Sequence, residues 1–500
     1  MVCAVVLLSS SMSAQTFEEY KRQQEAAFNQ YRSDKEREYK AYRDRVNAEF
    51  AEYMRQKWPQ EEAKPAVKMP DRPEPPKPVV KKPEERPTPA PPQPIAMPIK
   101  TVVPQPAKPQ PQPKPAVPLP PEPTPKPAEK GFAFTFYGTP CRVPLETSHH
   151  FLLKGTDEGQ VADGWKQLSA DRYLPVVAAC LRLRDELQLS DWGYVRLLEQ
   201  MTEAFCTTAR QNEARLMQMY ILTQSGYRVR MARSGGRLFL LLPSDGSIYG
   251  YSYIPLGKEK YYVIDRNASG QRTFSVLNRA YPKEQSFSLR IGHEPKLAQR
   301  LTTARTLRSK RWPEVAAQVA VNKNLIDFLN DYPLSNNWDN YVMTALSQQA
   351  KEQLYPTLRN AISGKSKAEA ANVLINFVQT AFDYKTDGEQ FGSERPLFGD
   401  ETLYYPYSDC EDRAILFAIL VRDLLGLPVV LVNYPQHLAT AVDFGDDTIG
   451  DYFVVDGRHY TVCDPTYIGA DIGSSMPQYR QSKAEIITIG GKNSVRDTRR

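Results

Sequence analysis

Three residues near the end of this 500-residue chain would do nucleophilic chemistry if folding brought them together: Cys410, His437 and Asp464. An ionised thiol attacks carbonyl carbon, an imidazole takes up and returns the proton, and a carboxylate fixes the ring tautomer. Cys410 lies in the densest local signal of the sequence, YYPYSDCEDRAILFAILVRDLLG from Tyr404 to Gly426. Ser408 followed three positions later by Glu411 reads as a capping box, which predicts a helix start with Cys410 at the second helical position. Unpaired backbone N–H groups and the positive end of the helix dipole favour a thiolate there. The neighbouring carboxylates of Asp409, Glu411 and Asp412 oppose it, so the thiolate needs an imidazolium partner.

The elements that would position this set follow in order. Ala414, Leu416, Phe417, Ile419, Leu420, Leu424 and Leu425 make the helix strongly apolar, which predicts burial. After Gly426-Leu427-Pro428, PVVLVNYP and HLATAVDF read as two strands, the second opening on His437. His437, Ala439 and Ala441 then share one strand face. DYFVV, the turn Asp456-Gly457 and RHYTVCD form a further hairpin ending at Asp464. A zinc reading of His459 and Cys463 is disfavoured, because no close CxxC or HxxxH spacing is present.

These motifs resemble the transglutaminase-like superfamily over roughly residues 320–485. YSDCEDRAILFAILVRDLLGLPVVLV is similar to that family's nucleophile helix with its passage into the sheet, NYPQHLATAV to the histidine strand, and YTVCDPTYIG to the aspartate strand. The resemblance implies Cys410 as nucleophile, His437 as base and Asp464 as its orienting acid, in a papain-like arrangement. Where many members carry tryptophan after the histidine, this chain has Leu438-Ala439-Thr440, and Val462, Cys463 and Tyr467 stand where an aromatic often flanks the aspartate. Gln390 and Tyr405 are the polar candidates for a second oxyanion or groove contact.

The rest of the chain divides by composition. Residues 1–14, MVCAVVLLSSSMSA, read as an export signal, with cleavage after Ser13 or Ala14. Residues 15–58 repeat with period eleven from Phe17, which predicts one long helix with an aromatic stripe suited to self-association or to an envelope partner through residues 17–57. Of 42 prolines, 26 lie between Pro59 and Pro127, so residues 59–130 read as a polyproline and coil spacer. Residues 131–310 read as helices (174–187, 193–205, 214–222) followed by a small antiparallel sheet with strands at Tyr227, Arg237, Gly250, Lys260 and Phe287. Helical patterns at 324–331, 338–362 and 367–382 lead into the thiol motif, and residues 486–500 read as a basic tail.

The formal charge of +6 does not point to nucleic acid, since residues 131–500 carry 42 Lys/Arg against 41 Asp/Glu. No 18-residue apolar run predicts a membrane span. Five cysteines after the signal are too few for a disulfide scaffold, and an odd number leaves one thiol without an intramolecular partner. The expectation is an α+β protein, exported, with a nucleophile helix against an antiparallel sheet. Its expected activity is thiol-dependent acyl transfer on peptide or side-chain amides, as a peptidase, amidase or transglutaminase. No metal or organic cofactor is implied, and the sequence shows no calcium-site motif. The competing class is a non-catalytic envelope or surface binding protein on the same fold.

Overall fold

The computed structural model describes residues 17–70, 96–104, 131–244, 246–265 and 272–490. The predicted export signal and the last ten residues of the predicted tail lie outside these. The architecture is α+β, with helices and mainly antiparallel sheets. Helix α1 (Phe17–Met54) follows the eleven-residue repeat. Its last turns bury Val46, Phe50, Ala51 and Met54, while Tyr20, Phe28 and Tyr31 stay exposed. The stripe therefore has two uses: its C-terminal end is core of this chain, and only the earlier aromatics remain for a partner.

The spacer expected after α1 is corrected in two places. Strand β1 (Gln60–Glu62) and strand β2 (Ile99–Pro104) each join a sheet, and Trp58, Met69 and Met97 are buried. Beyond residue 130 come the hairpin β3 (Phe132–Phe136) and β4 (Thr139–Val143). Four helices follow: α2 (Glu158–Leu168), α3 (Leu174–Glu186), α4 (Asp191–Cys206) and α5 (Gln211–Gln224). The Ser190 hydroxyl caps α4 by accepting from the Gly193 N–H. Next come β5 (Arg230–Ser234), β6 (Arg237–Pro243), β7 (Tyr253–Leu256), β8 (Glu259–Val263) and β9 (Thr273–Leu277).

These strands make a six-stranded sheet in the order β1-β9-β5-β6-β8-β7. The expected strand at Phe287 is absent. Phe287, Leu289 and Ile291 are buried, but the Ser288 N–H donates to Asp191 rather than to a strand neighbour. Thr273–Leu277 takes the sheet position instead. The gap foreseen between residues 310 and 320 is also corrected. Strand β10 (Arg305–Arg308) pairs across it with β11 (Ala316–Val319), and one continuous apolar core runs from Phe50 to Ile487.

The C-terminal part opens with α6 (Lys323–Asn330), α7 (Asp339–Val342), α8 (Gln348–Ile362) and α9 (Lys367–Ala381). The single helix expected over 338–362 is interrupted, and α8 restarts where the Ser347 hydroxyl accepts from the Ala350 N–H. Short elements β12 (Asp383–Tyr384), α10 (Asp387–Phe391), α11 (Gly399–Tyr404) and β13 (Tyr407–Ser408) lead to α12 (Cys410–Leu420). All eleven residues of α12 are buried. A π turn, Val421–Leu425, ends it at Gly426, whose φ of +65° suits glycine.

Strands β14 (Val429–Tyr434), β15 (His437–Asp443), β16 (Tyr452–Val455), β17 (Arg458–Cys463) and β18 (Ala484–Thr488) complete the second sheet, ordered β16-β17-β15-β14-β18-β2. The tail boundary at residue 486 falls inside β18.

Both six-stranded sheets are closed by the proline-rich segment. In the first, β1 pairs with β9 at one edge while Lys64 bridges to Tyr253 of β7 at the other. In the second, β2 pairs in parallel with β18 while Ala96 bridges to Tyr452 of β16. Each closed sheet holds its own apolar cluster, with Phe239, Ile254 and Phe274 in the first and Met97, Val432 and Phe453 in the second. No helix among the described residues is long and apolar enough to cross a membrane.

Candidate functional site

The site lies where α12 packs against β15. The β14–β15 hairpin places Tyr434 directly opposite His437. Across β15, Thr440 pairs with Cys463, so Asp464 follows as the chain leaves β17. His437 Nε2 lies 2.8 Å from Asp464 Oδ2, and both side chains are buried. The second Asp464 oxygen, Oδ1, accepts from the backbone N–H groups of Thr466 and Tyr467 at 2.9 and 3.3 Å. The carboxylate is thus fixed on both sides. With Nε2 on the carboxylate, His437 Nδ1 is buried and has no hydrogen-bond partner. This leaves Nδ1 as the ring nitrogen able to exchange a proton with a thiol.

Cys410 is the first residue of α12, one position earlier than expected, because Asp409 rather than Ser408 is the N-cap. The reason is local. Arg413 Nε donates to the Ser408 hydroxyl at 3.1 Å, and Ser408 belongs to β13. The reciprocal partner is Asp412, which accepts from the Asp409 N–H at 3.3 Å. The Cys410 thiol points to the Glu411 carboxylate, with Sγ 2.9 Å from Oε2, so in this conformation it is a donor.

The surroundings of Cys410 are more acidic than the sequence suggested. Asp387 and Glu394 join Asp409, Glu411 and Asp412, and all five are buried. Asp409 Oδ1 has no hydrogen-bond partner. Burial, reinforced by the neighbouring carboxylates, holds the Asp409 and Asp412 carboxyls well above the usual range.

The nearest buried cation, Arg413, donates to the Gln379 and Phe382 carbonyls at 3.2 and 3.0 Å as well as to Ser408. Protons on these carboxyls lower their mutual repulsion, and an oxygen-rich set of this kind is also the type that a hard divalent cation takes. Oxygen-donor groupings for such an ion are Asp387–Asp409–Asp412 and Asp387–Glu394–Glu411, each with ligand atoms within 4.8 Å of one another.

An aromatic stack covers the imidazole. The Tyr479 ring lies 5.0 Å from His437 at an interplanar angle of 9°, and Tyr434 lies 4.8 Å from Tyr479 on its other contact. Burial, with the charges of Cys410 and Asp464 nearby, pushes the Tyr479 hydroxyl up to about 12.

Gln379, which the sequence did not single out, holds the loop after Asp464. Its amide donates to the carbonyls of Asp464, Tyr467 and Ala470 at 3.3, 2.8 and 3.0 Å. No spacing signal pointed to it, because its partners lie about ninety positions away.

Of the other expected residues, Tyr405 donates its hydroxyl to Asn330 at 3.0 Å. Gln390 sits on α10 with a buried, unbonded Nε2. No hydrogen bond joins either one to Cys410. His459 is exposed against Thr448 and Tyr452, while Cys463 is buried. Neither belongs to a metal-donor grouping among the described residues.

Comparison with protein-family models, with curated proteins and with solved structures found no match to this chain. The chemical reading therefore stands on the residues themselves.

Proposed function

We propose that the C-terminal part is a thiol-dependent acyl-transfer domain acting on peptide or side-chain amides in an exported protein, built as a transglutaminase-like Cys-His-Asp arrangement. The observation that carries the reading is the buried His437 Nε2–Asp464 pair, which leaves Nδ1 unbonded on the strand against the Cys410 helix. In this scheme His437 Nδ1 takes the thiol proton, and Cys410 sulfur attacks the amide carbonyl carbon. First-turn N–H groups of α12 face the resulting oxyanion. Collapse of the tetrahedral intermediate breaks the C–N bond as His437 returns the proton to the leaving nitrogen, giving a thioester. Water or an amine, deprotonated by His437, then releases the acyl group.

The test pairs a peptide and carboxamide panel with an amine-acceptor assay. Cys410→Ala should abolish turnover in both, and Asp464→Asn should lower it by roughly 10³- to 10⁴-fold, as expected when an imidazole loses its orienting carboxylate. Turnover unchanged in Cys410→Ala would remove the proposal.

A second reading, a non-catalytic binding protein, draws support from the burial of Cys410 and His437, at 1% and 0% exposure. It predicts saturable peptide binding without turnover. The exposed aromatics of α1 fit self-association, which sedimentation of the full chain and of a Phe28→Glu, Tyr31→Glu variant would register as a loss of mass.

A further inference from the structure

Cys410 and His437 are closed to solvent, so an amide can reach them only if something moves. The cover is local. Between Pro477 and Lys483 the side chains are exposed or half-buried except Tyr479, which turns inward onto the His437 ring. In the turn Pro477–Tyr479 the Tyr479 N–H donates to the Met476 carbonyl at 2.9 Å, and the Ser482 N–H donates to the Tyr479 carbonyl at 3.0 Å. Asp451 accepts from the Ser475 N–H at 3.2 Å and pairs with Arg480 at 3.4 Å. Asp451 is buried, whereas Arg480 is about half exposed. Met97 touches Ser475 through its sulfur and is fixed by donating its N–H to Tyr452 at 2.7 Å.

A large aromatic ring buried from an otherwise exposed turn, and stacked on the one imidazole of the site, is a plug rather than a wall.

We propose that residues 475–480 form a gate over Cys410 and His437, with Tyr479 as the plug and the Arg480–Asp451 pair as the latch, so that a substrate chain enters by displacing Tyr479 from the imidazole. This deepens the acyl-transfer reading and rests on it for the identity of what enters. Closure holds His437 in the plane that keeps Nε2 on Asp464, and opening exposes Nδ1 and the thiol together. The gate also links the site to the proline-rich segment, since Met97 lies next to strand β2 and contacts the base of the turn.

The five described cysteines supply the test, because Cys141, Cys180, Cys206, Cys410 and Cys463 are all free and buried. Local opening exposes Cys410 alone, whereas global unfolding exposes all five. The full chain without residues 1–14 is treated with iodoacetamide, and each cysteine is followed by mass spectrometry. Tyr479→Ala should label Cys410 about 10- to 100-fold faster than the native chain with the other four unlabelled, since stacking and burial of a large ring are lost. Tyr479→Phe keeps the ring and should stay near the native rate.

Arg480→Ala, at an exposed side chain, should accelerate labelling of Cys410 about 2- to 5-fold, the value of one ion pair with a solvent-exposed partner. Native rates in both Tyr479→Ala and Arg480→Ala would overturn the gate. If Tyr479→Ala labels all five cysteines together, that variant has unfolded and Arg480→Ala decides. Faster labelling with no amide turnover in any variant would leave the gate standing and remove the catalytic reading. Full turnover with unchanged labelling would remove the gate alone.

Discussion

The two six-stranded sheets are built alike and treat buried charge in opposite ways. Both are antiparallel apart from the edge pairing of β2, and both are closed by a short stretch of the proline-rich segment. In the first sheet Arg230 of β5 is buried, but Glu284 meets it with two bonds of 2.8 and 2.7 Å. Beside the second sheet, five buried carboxylates crowd the start of α12 with Arg413 as their nearest buried cation. A directly paired charge helps to specify a fold, whereas crowded buried carboxylates raise one another's titration and cost stability. The contrast sets the proposed site apart from the first sheet by its crowded buried carboxylates.

The largest effect expected from this contrast is on turnover. His437→Ala should lower the rate by about 10³-fold or more, as for other triads that lose their base. Glu284→Ala should leave the chemistry unchanged, and a kcat/KM comparison on the same substrate separates them. Glu284→Ala should instead destabilise by about 3–5 kcal/mol, because Arg230 would remain buried without its partner; a urea midpoint unchanged from the native chain would show that the pair is idle.

Met97→Ala tests the shared closing device in the second sheet and should cost about 2–4 kcal/mol, the usual range for emptying a buried methionine site. Its urea midpoint should fall while the fold stays intact by far-ultraviolet circular dichroism.

The smallest effect has the opposite sign. The folded pKa values of Asp409 and Asp412 lie above their unfolded values, because burial disfavours the charged form and neighbouring carboxylates add to it. The folded protein therefore holds protons that the unfolded chain releases above about pH 4. This contribution is fully present below that pH and is lost as pH rises through the raised values. Asp400, pushed up to about 6 by burial, acts in the same sense between about pH 4 and pH 6.

Asp409→Asn removes one crowded charge. It should raise Tm at pH 8 and leave it nearly unchanged at pH 4, because the crowded carboxylate penalty exists only above the unfolded pKa. The measurement is a Tm series made with a chelator present, so that cations do not replace the protons. A variant equally stabilised at both pH values would show that charge crowding is not the cause.

The candidate site was legible where it was local in sequence. The apolar run from Ala414 marked α12, and alternation marked β14 to β17. A strand end next to a turn marked both His437 and Asp464, and their 2.8 Å contact follows from the order of strands. What escaped was set by distant partners. Asp387 and Glu394 look like surface carboxylates in sequence, because nothing local says that α10 and the segment after it fold against the start of α12.

The cap moved from Ser408 to Asp409 because Arg413 takes the serine hydroxyl. Strand β1, with sequence QEE, has no alternation to read, and its place is decided by the open edge of β9. Strand β2 did leave a signal: Ile99, Thr101, Val102 and Val103 are a β-branched run amid prolines. The expected strand at Phe287 has the right residues, but its backbone finds a side-chain partner in Asp191 before it finds a ladder.

Helix α12 and strands β14 to β17 could be read from the chain alone, because periodicity and turn residues act within a few positions along it. Tertiary packing set which nitrogen of His437 faces Asp464, how many carboxylates surround Cys410 and that Tyr479 stacks on His437. Those depend on burial and on contacts between segments tens of residues apart, and the energy of a charge or a stacked ring is set by what surrounds it in space.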